Sequence, residues 1–339
     1  MNLFKRINFL ALTWAIEALN KDIEEDQAAG IDFAVGGQAV IEGVMMRSPN
    51  SITIAVRKER GELKVKKKHY KTLTQKYKWL NIPILRGVIN LFEMMIIGTE
   101  AINYSANESL EEEPTTQEEV KKSKLGKAAE IAMFTLSFVF AIALSIGLFK
   151  FIPLWLTTYL EGQSLYIKDH YIVFNLIDGL IKMTIFLSYI FILTLIPSFR
   201  RIFEYHGAEH KSIYTYEKKL ELIPENASKQ IRFHPRCGTS FILIVFVISI
   251  IVYTFIPKNP DFMTNLAIRL AVLPFIAGIS YEYLKLSARH MDNVIVRALV
   301  APGLWFQRLT TKEPDKNQLL VGLHSLKEAL AMEKTATTS

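Results

Sequence analysis

Four long apolar runs restrict what this chain of 339 residues can fold into more than any other feature. They cover residues 128–149, 172–197, 240–257 and about 264–284. A helix of about 20 apolar residues has the length needed to cross a bilayer, and the core helices of soluble proteins rarely reach that length four times. We therefore predict an α-helical multi-pass membrane protein with about four transmembrane helices, of which the third is short.

The positions of lysine and arginine predict the orientation of these helices. Eight basic residues lie in segment 198–239, and the chain just before residue 128 and beyond residue 285 is also basic. The connections after the first and third apolar runs carry few positive charges. Under the positive-inside rule, both termini and segment 198–239 face the cytoplasm. The single cysteine, Cys237, then lies in a reducing compartment, where a role as a ligand or as a catalytic group is open to it.

The remaining sequence divides into segments of different character. We predict an amphipathic N-terminal segment (1–30), a cytosolic β-rich basic domain (31–82), an amphipathic or interfacial helix (83–106), a polar linker (107–127), transmembrane helices 1 and 2 (128–197), a cytosolic His/Cys loop (198–239), transmembrane helices 3 and 4 (240–284) and a cytosolic tail with an interfacial segment and an amphipathic helix (285–339). In the β-rich domain, alternating apolar residues between 52 and 65 predict a hairpin. The pair Gly36-Gly37 permits a tight turn or a close approach of two backbones.

Two motifs organise the tail. Pro302-Gly303 predicts a break in the interfacial segment, because proline removes a helical hydrogen bond and glycine favours turns. Asp315 and Gln318 have the spacing of a helix-capping pair and predict the start of the amphipathic helix.

A basic patch in the N-terminal part of the chain indicates possible partners. Residues 47–86 contain twelve lysines and arginines against two acids, with aromatic residues between them. In a membrane protein such a patch favours anionic lipid head groups, or it is simply a solvated face. A membrane-protein partner is a further candidate. Contact with RNA at a ribosome surface is less favoured, since no RNA-recognition motif accompanies the charge. The oligomeric state is not predicted.

Segment 198–239 carries the candidate chemistry. His206, Glu209 and His210 form an H-x-x-E-H motif, the order found in inverted zinc proteases, and His234 and Cys237 follow with the short spacing of a zinc knuckle. We predict zinc or another divalent metal on His206, His210, His234 and Cys237. Four bound ligands make a closed structural site, whereas three histidines leave one position for water, with Glu209 as its general base. The alternative is that the histidines only cap helices or pair with carboxylates.

Further polar groups are candidates to support this site. Glu282 and His290 follow the fourth apolar run and can act as an additional ligand or hold a ligand in place. Arg236 lies beside Cys237, where its positive charge favours the thiolate. Snorkelling at the membrane interface is an equally good interpretation of the first two.

Three charges fall inside the predicted spans. Asp178 and Arg269 lie at matched depths, and Lys182 is four residues from Asp178 on the same helical face; charges in such positions are usually paired. We predict a structural intramembrane charge pair, with a proton or ion path as the alternative.

The motifs GGQAVIEGVMMRSP (36–49), HGAEHK (206–211), HPRCGTSF (234–241) and PGLWFQRLTTKEPD (302–315) resemble those of the YqhQ-type family of bacterial multi-pass membrane proteins. The resemblance covers residues 31 to about 323. It implies a multi-pass protein of the bacterial cytoplasmic (inner) membrane and a metal-dependent enzyme, with His206, Glu209, His210, His234 and Cys237 at the matched positions.

Two hypotheses of function follow. The first is a zinc-dependent enzyme with its site at the cytoplasmic membrane face, most naturally a hydrolase. The second is a non-enzymatic membrane adaptor or membrane-protein biogenesis factor, in which a structural zinc site fixes the His/Cys loop and the basic patch faces lipid or the ribosome. Whether the protein is an enzyme stays open at this point.

Overall fold

The computed structural model describes residues 35–109, 124–257, 259, 261–287, 290–291 and 293–337. The predictions for segment 1–30 and for most of the linker 107–127 lie outside these residues. The chain divides into two compact units. The first takes in the described parts of Met1–Glu111, Phe191–Val245 and Ala277–Ser339, and the second those of Glu112–Ile190 and Phe246–Ile276.

A four-stranded antiparallel sheet lies at the start of the first unit. Its strands are β1 (Gly36–Val40), β2 (Gly43–Arg47), β3 (Ser51–Arg57) and β4 (Leu63–His69), and they are hydrogen-bonded in sequence order. The predicted hairpin is confirmed as β3 and β4, with Ala55 opposite Val65. The sequence did not predict β1 and β2 as separate strands, because Gly36-Gly37 was compatible with a tight turn or with a close backbone approach, whereas both glycines lie in β1.

The helices account for most of the remaining described residues. They are α1 (Leu73–Lys76), α2 (Leu85–Ser109), α3 (Lys124–Ile146), α4 (Ile152–Gln163), α5 (Leu165–Asp169), α6 (Tyr171–Leu195), α7 (Pro197–Glu217), α8 (Pro224–Ser228), α9 (Gly238–Thr254), α10 (Phe262–Ala271), α11 (Leu273–Ser287), α12 (Val294–Thr310) and α13 (Lys316–Thr337). A short 3₁₀ turn covers Lys78–Leu80, and a π-helical turn at Gly147–Phe151 joins α3 to α4.

The sheet is covered by helices on both faces, which explains why β3 is buried along almost its whole length. On one face, Met45, Ile54 and Val56 pack against α2. On the other face, Val44 and Ala55 pack against α7 and α13. Segments far apart in the sequence therefore share one hydrophobic core.

The segment 198–239, predicted as a loop, contains the 21-residue helix α7. Its polar composition led to the wrong interpretation, because several of its polar side chains are buried and paired within the protein. Lys211 is 3% exposed, donates to the Ser228 carbonyl at 2.9 Å and forms an ion pair with Glu313. Small residues allow close packing here, since α13 passes over Ala208 and Ser212 at Gly322.

Three helical segments have the length and composition to cross a membrane, rather than the four predicted. Among the described residues they are Thr135–Gln163, Tyr171–Leu195 and Phe262–Ser287. The third predicted span is observed as Gly238–Thr254, an apolar helix of only 17 residues. These helices are compatible with a membrane protein, and the third predicted span, which the sequence already marked as short, falls just below the length of a candidate span.

The tail is more helical than predicted. Pro302-Gly303 does not break the interfacial segment, because Pro302 lies inside the continuous helix α12 and Gly303 fits closely against Ser240. The predicted capping pair is present at the start of α13. The backbone amide of Gln318 donates to the Asp315 carboxylate at 2.8 Å, and the backbone amide of Asp315 donates to Gln318 Oε1 at 2.8 Å.

Candidate metal centre

Helix α7 and the turn before α9 bring two histidines and the cysteine together. His206 and His210 are four residues apart on α7, so their rings lie on one face with centroids 4.5 Å apart. Cys237 precedes α9. One ligand atom from each of these three side chains lies within 4.8 Å of the other two.

Backbone carbonyls fix the orientation of both imidazoles. His206 Nδ1 lies 2.8 Å from the Thr310 carbonyl oxygen, and His210 Nδ1 lies 2.5 Å from that of Arg232. Because a carbonyl oxygen only accepts, each Nδ1 carries the hydrogen and donates it. Each Nε2 atom is therefore left for the cluster, an arrangement typical of metal-bound histidine.

The two Nε2 atoms have different surroundings. His206 Nε2 lies 3.2 Å from Cys237 Sγ. His210 is 1% exposed, and its Nε2 atom has no hydrogen-bond partner among the described residues. The Glu209 carboxylate lies 3.4 Å from this nitrogen without forming a hydrogen bond to it, so the atom is a natural position for a ligand.

Gly207, next to His206, makes room for the segment that holds the His206 ring. A Cβ atom at Gly207 would collide with the Lys312 carbonyl. The Lys312 amide donates to the Phe203 carbonyl at 2.8 Å, which fixes the end of α12 against α7. The Thr310 carbonyl is thereby brought to His206.

The turn that carries Cys237 is fixed by Gln307, a residue that sequence reasoning did not identify. The His234 amide donates to Gln307 Oε1 at 2.7 Å, and Gln307 Nε2 donates to the His234 carbonyl at 2.8 Å and to Ser240 Oγ at 2.9 Å. Gln307 is fully buried, so these bonds are shielded from water. The only signal in the sequence was its place in the motif PGLWFQ.

The charges of the cluster favour a thiolate. Burial opposes ionisation of Cys237, but the imidazoles of His210 and His206 hold its pKa well below the ordinary value of a thiol. Burial also opposes the charged form of His206, yet the Cys237 thiolate and Glu209 together raise the pKa of His206 to about 9. A thiolate is the form in which cysteine binds metals.

Glu209, the predicted general base, lies beside this cluster. Its carboxylate Oε2 is 3.4 Å from His210 Nε2, and the side chain is 4% exposed. Gly37 of β1 explains the close fit, because a Cβ atom there would lie 2.6 Å from Glu209 Cγ. The close backbone approach predicted at Gly36-Gly37 is thus found at Gly37.

His234 does not join the other predicted ligands. Its Nε2 atom lies 3.1 Å from the Glu217 carboxylate, and its Nδ1 atom accepts from the Arg236 amide at 3.3 Å. Both ring nitrogens are therefore engaged. The local spacing from His234 to Cys237 could not reveal Glu217, which lies on α7 and draws the ring away.

The predicted supporting groups also lie elsewhere. Arg236 forms an ion pair with Glu217, and Glu282 forms a bidentate ion pair with Arg86. His290 is exposed, and its Nδ1 atom bonds to the Leu286 carbonyl at 2.9 Å. The groups that hold the ligands are instead the backbone carbonyls of Thr310 and Arg232.

In the second unit, the three charges predicted to lie inside the membrane are close together. The Asp178 carboxylate is 3.0 Å from Lys182 Nζ and also accepts from Arg269. Asn175, which the sequence did not single out, accepts from Arg269 at 2.5 Å. The arrangement is that of a buried charge network joining α6 and α10.

The donor set of the cluster fits a zinc-type metal. Two imidazole nitrogens and a thiolate are ligands that zinc accepts, and ligand atoms on one tetrahedral zinc lie about 3.3–3.6 Å apart. The 3.2 Å separation between His206 Nε2 and Cys237 Sγ is close to that spacing. The orphaned Nε2 of His210 provides the third donor.

The comparisons with known proteins agree with the motifs. A family model described as "Protein of unknown function (DUF1385)" matches residues 82–332. The chain belongs to this family. The relative "Uncharacterized protein YqhQ" of Bacillus subtilis (strain 168) is 36% identical over 308 residues, which cover 88% of this chain and 93% of the relative. The predicted resemblance to the YqhQ-type family is thus confirmed. No solved structure matches the chain.

Proposed function

We propose that this protein is a membrane-bound, metal-dependent hydrolase whose ion is held by His206, His210 and Cys237. The observation that carries the proposal is the buried Nε2 atom of His210, which has no hydrogen-bond partner among the described residues. A cation bound there removes the cost of burying this nitrogen unpaired. Zinc suits the combination of imidazole and thiolate donors.

Different residues of the chain would have different roles in hydrolysis. A divalent ion supplies a Lewis acid that polarises a carbonyl or phosphoryl oxygen and promotes loss of a proton from water. Glu209, with its carboxylate 3.4 Å from His210 Nε2, is positioned to accept that proton. The Thr310 and Arg232 carbonyls hold the imidazoles, and burial excludes bulk water from the cluster.

The position of His234 supports a catalytic site over a structural one. Structural zinc sites are almost always closed by four protein ligands, whereas catalytic sites keep a position for water or substrate. Because His234 bonds to Glu217 and Arg236, three ligands remain. This arrangement disfavours the adaptor hypothesis, which required a closed site.

A cysteine nucleophile is a second candidate, favoured by the 3.2 Å contact between His206 Nε2 and Cys237 Sγ. A histidine beside a thiolate is the arrangement that activates cysteine for nucleophilic attack. It leaves His210 without a role, although His210 is oriented by a carbonyl in the same way as His206. The metal hypothesis accounts for both histidines.

We infer that the site faces the cytoplasm at a bacterial inner membrane. Three candidate spans support membrane insertion, and the basic segments flanking them support a cytoplasmic position for α7 under the positive-inside rule. Zinc bound by a thiolate is compatible with that reducing compartment.

The proposal is tested with the purified full-length protein in detergent, loaded with zinc. We expect hydrolysis of an activated ester such as p-nitrophenyl acetate, and a loss of about 10²-fold in rate for Glu209→Gln with the metal retained. Glu225→Gln is the matched control, because Glu225 is exposed and its ion pair with Lys316 lies on the surface. Equal rates for the Glu209 variant and the wild type, or equal rates with and without metal, would overturn the proposal.

Cobalt substitution separates the open from the closed site. With Co²⁺ in place of zinc, a hydroxamate should shift the visible absorption bands if a coordination position is open, and Cys237→Ser should abolish the thiolate-to-cobalt band. Bands that do not respond to the hydroxamate would identify a closed structural site and favour the adaptor. A thiol that reacts with iodoacetamide equally well with and without metal would favour the cysteine nucleophile.

A further inference from the structure

A second site candidate is a cavity of about 550 Å³ in the first unit, away from the histidines. It is bounded by the chain around α1, the start of α2 and the end of α11. All ten lining residues are polar or charged; four are cations and none is an acid. The cations are Arg47, Lys78, Arg86 and Lys285.

The positive charge of this cavity is only partly neutralised from within. Arg86 is paired with Glu282. Arg47 instead contacts Met94 Sδ at 2.7 Å and lies over the Tyr70 ring at 5.7 Å. In the part of the chain that the structure describes, neither Arg47 nor Lys78 has a carboxylate partner. A cavity with this lining is suited to an anion that accepts several hydrogen bonds, such as a phosphate group.

Apolar side chains beside the cavity indicate which kind of molecule the phosphate group belongs to. Trp79 is 69% exposed and Ile82 is 56% exposed, and each follows a lining residue directly in the chain. Farther along α2, Phe92, Met95 and Ile96 are also exposed and lie on one helical face. Tryptophan next to basic residues, with an apolar helical face alongside, is the composition of a surface that lies at the membrane–water boundary.

We propose that this cavity binds the phosphate head group of an anionic glycerophospholipid. Arg47 and Lys78 provide the charge that recognises the phosphate, and neutral donors such as Gln75 and Asn81 add hydrogen bonds. The acyl chains lie against Trp79 and the exposed face of α2. This single site would account for two predictions from the sequence. One is the interfacial character of segment 83–106, and the other is the attraction of the basic patch to anionic lipid.

The test measures binding of short-chain phosphatidylglycerol to the purified full-length protein by titration calorimetry. We expect saturable binding with a stoichiometry near one. The double variant Arg47→Gln/Lys78→Gln should weaken it about thirtyfold, the effect expected for two cations near a lipid phosphate. Lys64→Gln/Lys71→Gln, with the same loss of charge on exposed lysines outside the cavity, should change the affinity less than about twofold.

A single variant and comparison ligands complete the binding test. Lys78→Gln alone changes an exposed side chain that has no carboxylate partner among the described residues, and it should weaken binding about fivefold in a protein that still folds. Short-chain phosphatidylcholine should bind far more weakly, because its head group carries no net charge. Equal binding of glycerol phosphate would overturn the lipid assignment in favour of a soluble phosphate ligand. Equal losses of lipid affinity in the two double variants would show that the cavity is not the binding site.

Discussion

Two backbone carbonyls determine what His206 and His210 can do. By accepting from Nδ1, the Thr310 and Arg232 carbonyls leave the Nε2 atoms for the cluster with Cys237. His234, in a neighbouring turn, is bonded at both nitrogens and has no free donor for a metal. The difference between the proposed ligand histidines and His234 therefore lies in the partner of each ring nitrogen, which residue spacing does not specify.

The backbone at Gly37 fits closely against the Glu209 side chain. A substitution at Gly37 should therefore lower the rate of hydrolysis without changing the amount of bound metal. An alanine Cβ there would lie 2.6 Å from Glu209 Cγ and 2.8 Å from the Met45 carbonyl, so the carboxylate must move. We expect Gly37→Ala to cost about 1–3 kcal/mol of unfolding free energy. Ester hydrolysis should fall while the metal content stays unchanged.

Gly36→Ala is the matched control, because nothing lies within 4 Å of its Cβ position. Both variants are compared by thermal unfolding, metal analysis and ester hydrolysis. Similar hydrolysis rates for the two would show that Glu209 is not held by the strand.

Glu333 predicts a pH dependence of stability. Burial opposes its charged form, but hydrogen bonds from Ser48 and Asn50 outweigh burial and lower its pKa. A carboxyl whose pKa is lower in the folded state contributes stability above its unfolded pKa of about 4.3, and this contribution is lost as the pH falls through the folded pKa. Glu333→Gln should therefore be less stable at neutral pH and should lack this part of the acid sensitivity.

The measurement for Glu333 is chemical denaturation between neutral and acidic pH. Glu62→Gln, which removes an exposed carboxylate, should keep the wild-type profile. If the difference between wild type and Glu333→Gln did not shrink on acidification, the assignment would be wrong.

At the scale of elements, patterns confined to one segment were predictable. The hairpin β3–β4 followed from alternation, and the start of α13 followed from the Asp315–Gln318 spacing. Elements whose stability comes from distant partners were not. Helix α7 was interpreted as a loop because its buried charges are paired with segments far away in the chain, and β2 was missed because both its faces are covered by helices.

The candidate site shows the same limit. The i, i+4 spacing of His206 and His210 and the nearby Cys237 were enough to predict a cluster. The roles of Gln307, Glu217 and Gly37 depend on tertiary contacts between α12, α7 and β1. Only the folded chain shows that His234 faces Glu217.

In the charge network between α6 and α10, the loss of one carboxylate charge, that of Asp178, should strongly lower the stability of the protein. Asp178 is 1% exposed and pairs with both Lys182 and Arg269. Asp178→Asn leaves two buried cations without a counter-charge, so it should lower the unfolding free energy by about 3–5 kcal/mol. Asp169→Asn, on the exposed end of α5, should have little effect.

Unfolding of both aspartate variants in mixed micelles, followed by circular dichroism, tests this expectation. A stable Asp178→Asn protein would mean that the network does not hold the helices together, and the alternative of a proton or ion path would gain support.

For the whole molecule, the first unit restricts the membrane topology. Its sheet, α7 and α13 share one core, so the segments that contribute them lie on the same side of the membrane. The chain must therefore cross an even number of times between α7 and α12. If the candidate span Phe262–Ser287 crosses, we expect the 17-residue helix Gly238–Thr254 to cross with it. This parity argument predicts four crossings with both ends of the described chain on one side of the membrane, and the positive-inside rule predicts that this side is the cytoplasm.

Single introduced cysteines test the parity. We expect Leu165→Cys and Phe255→Cys, at exposed positions after the first and third crossings, to react with an impermeant maleimide on intact cells. Leu220→Cys, after α7, should react only after permeabilisation, and the unmodified protein with its buried Cys237 gives the baseline. Labelling of Leu220→Cys on intact cells would reverse the orientation, and protection of Phe255→Cys would remove the fourth crossing.

The metal content of three purified proteins tests the central claim most directly. Wild type should contain about one equivalent of zinc, as a single three-ligand site requires. His210→Ala should lose it, whereas His234→Ala should keep it, because His234 bonds to Glu217 and not to the cluster. A metal-free wild type, or a folded His234→Ala protein without metal, would contradict the account.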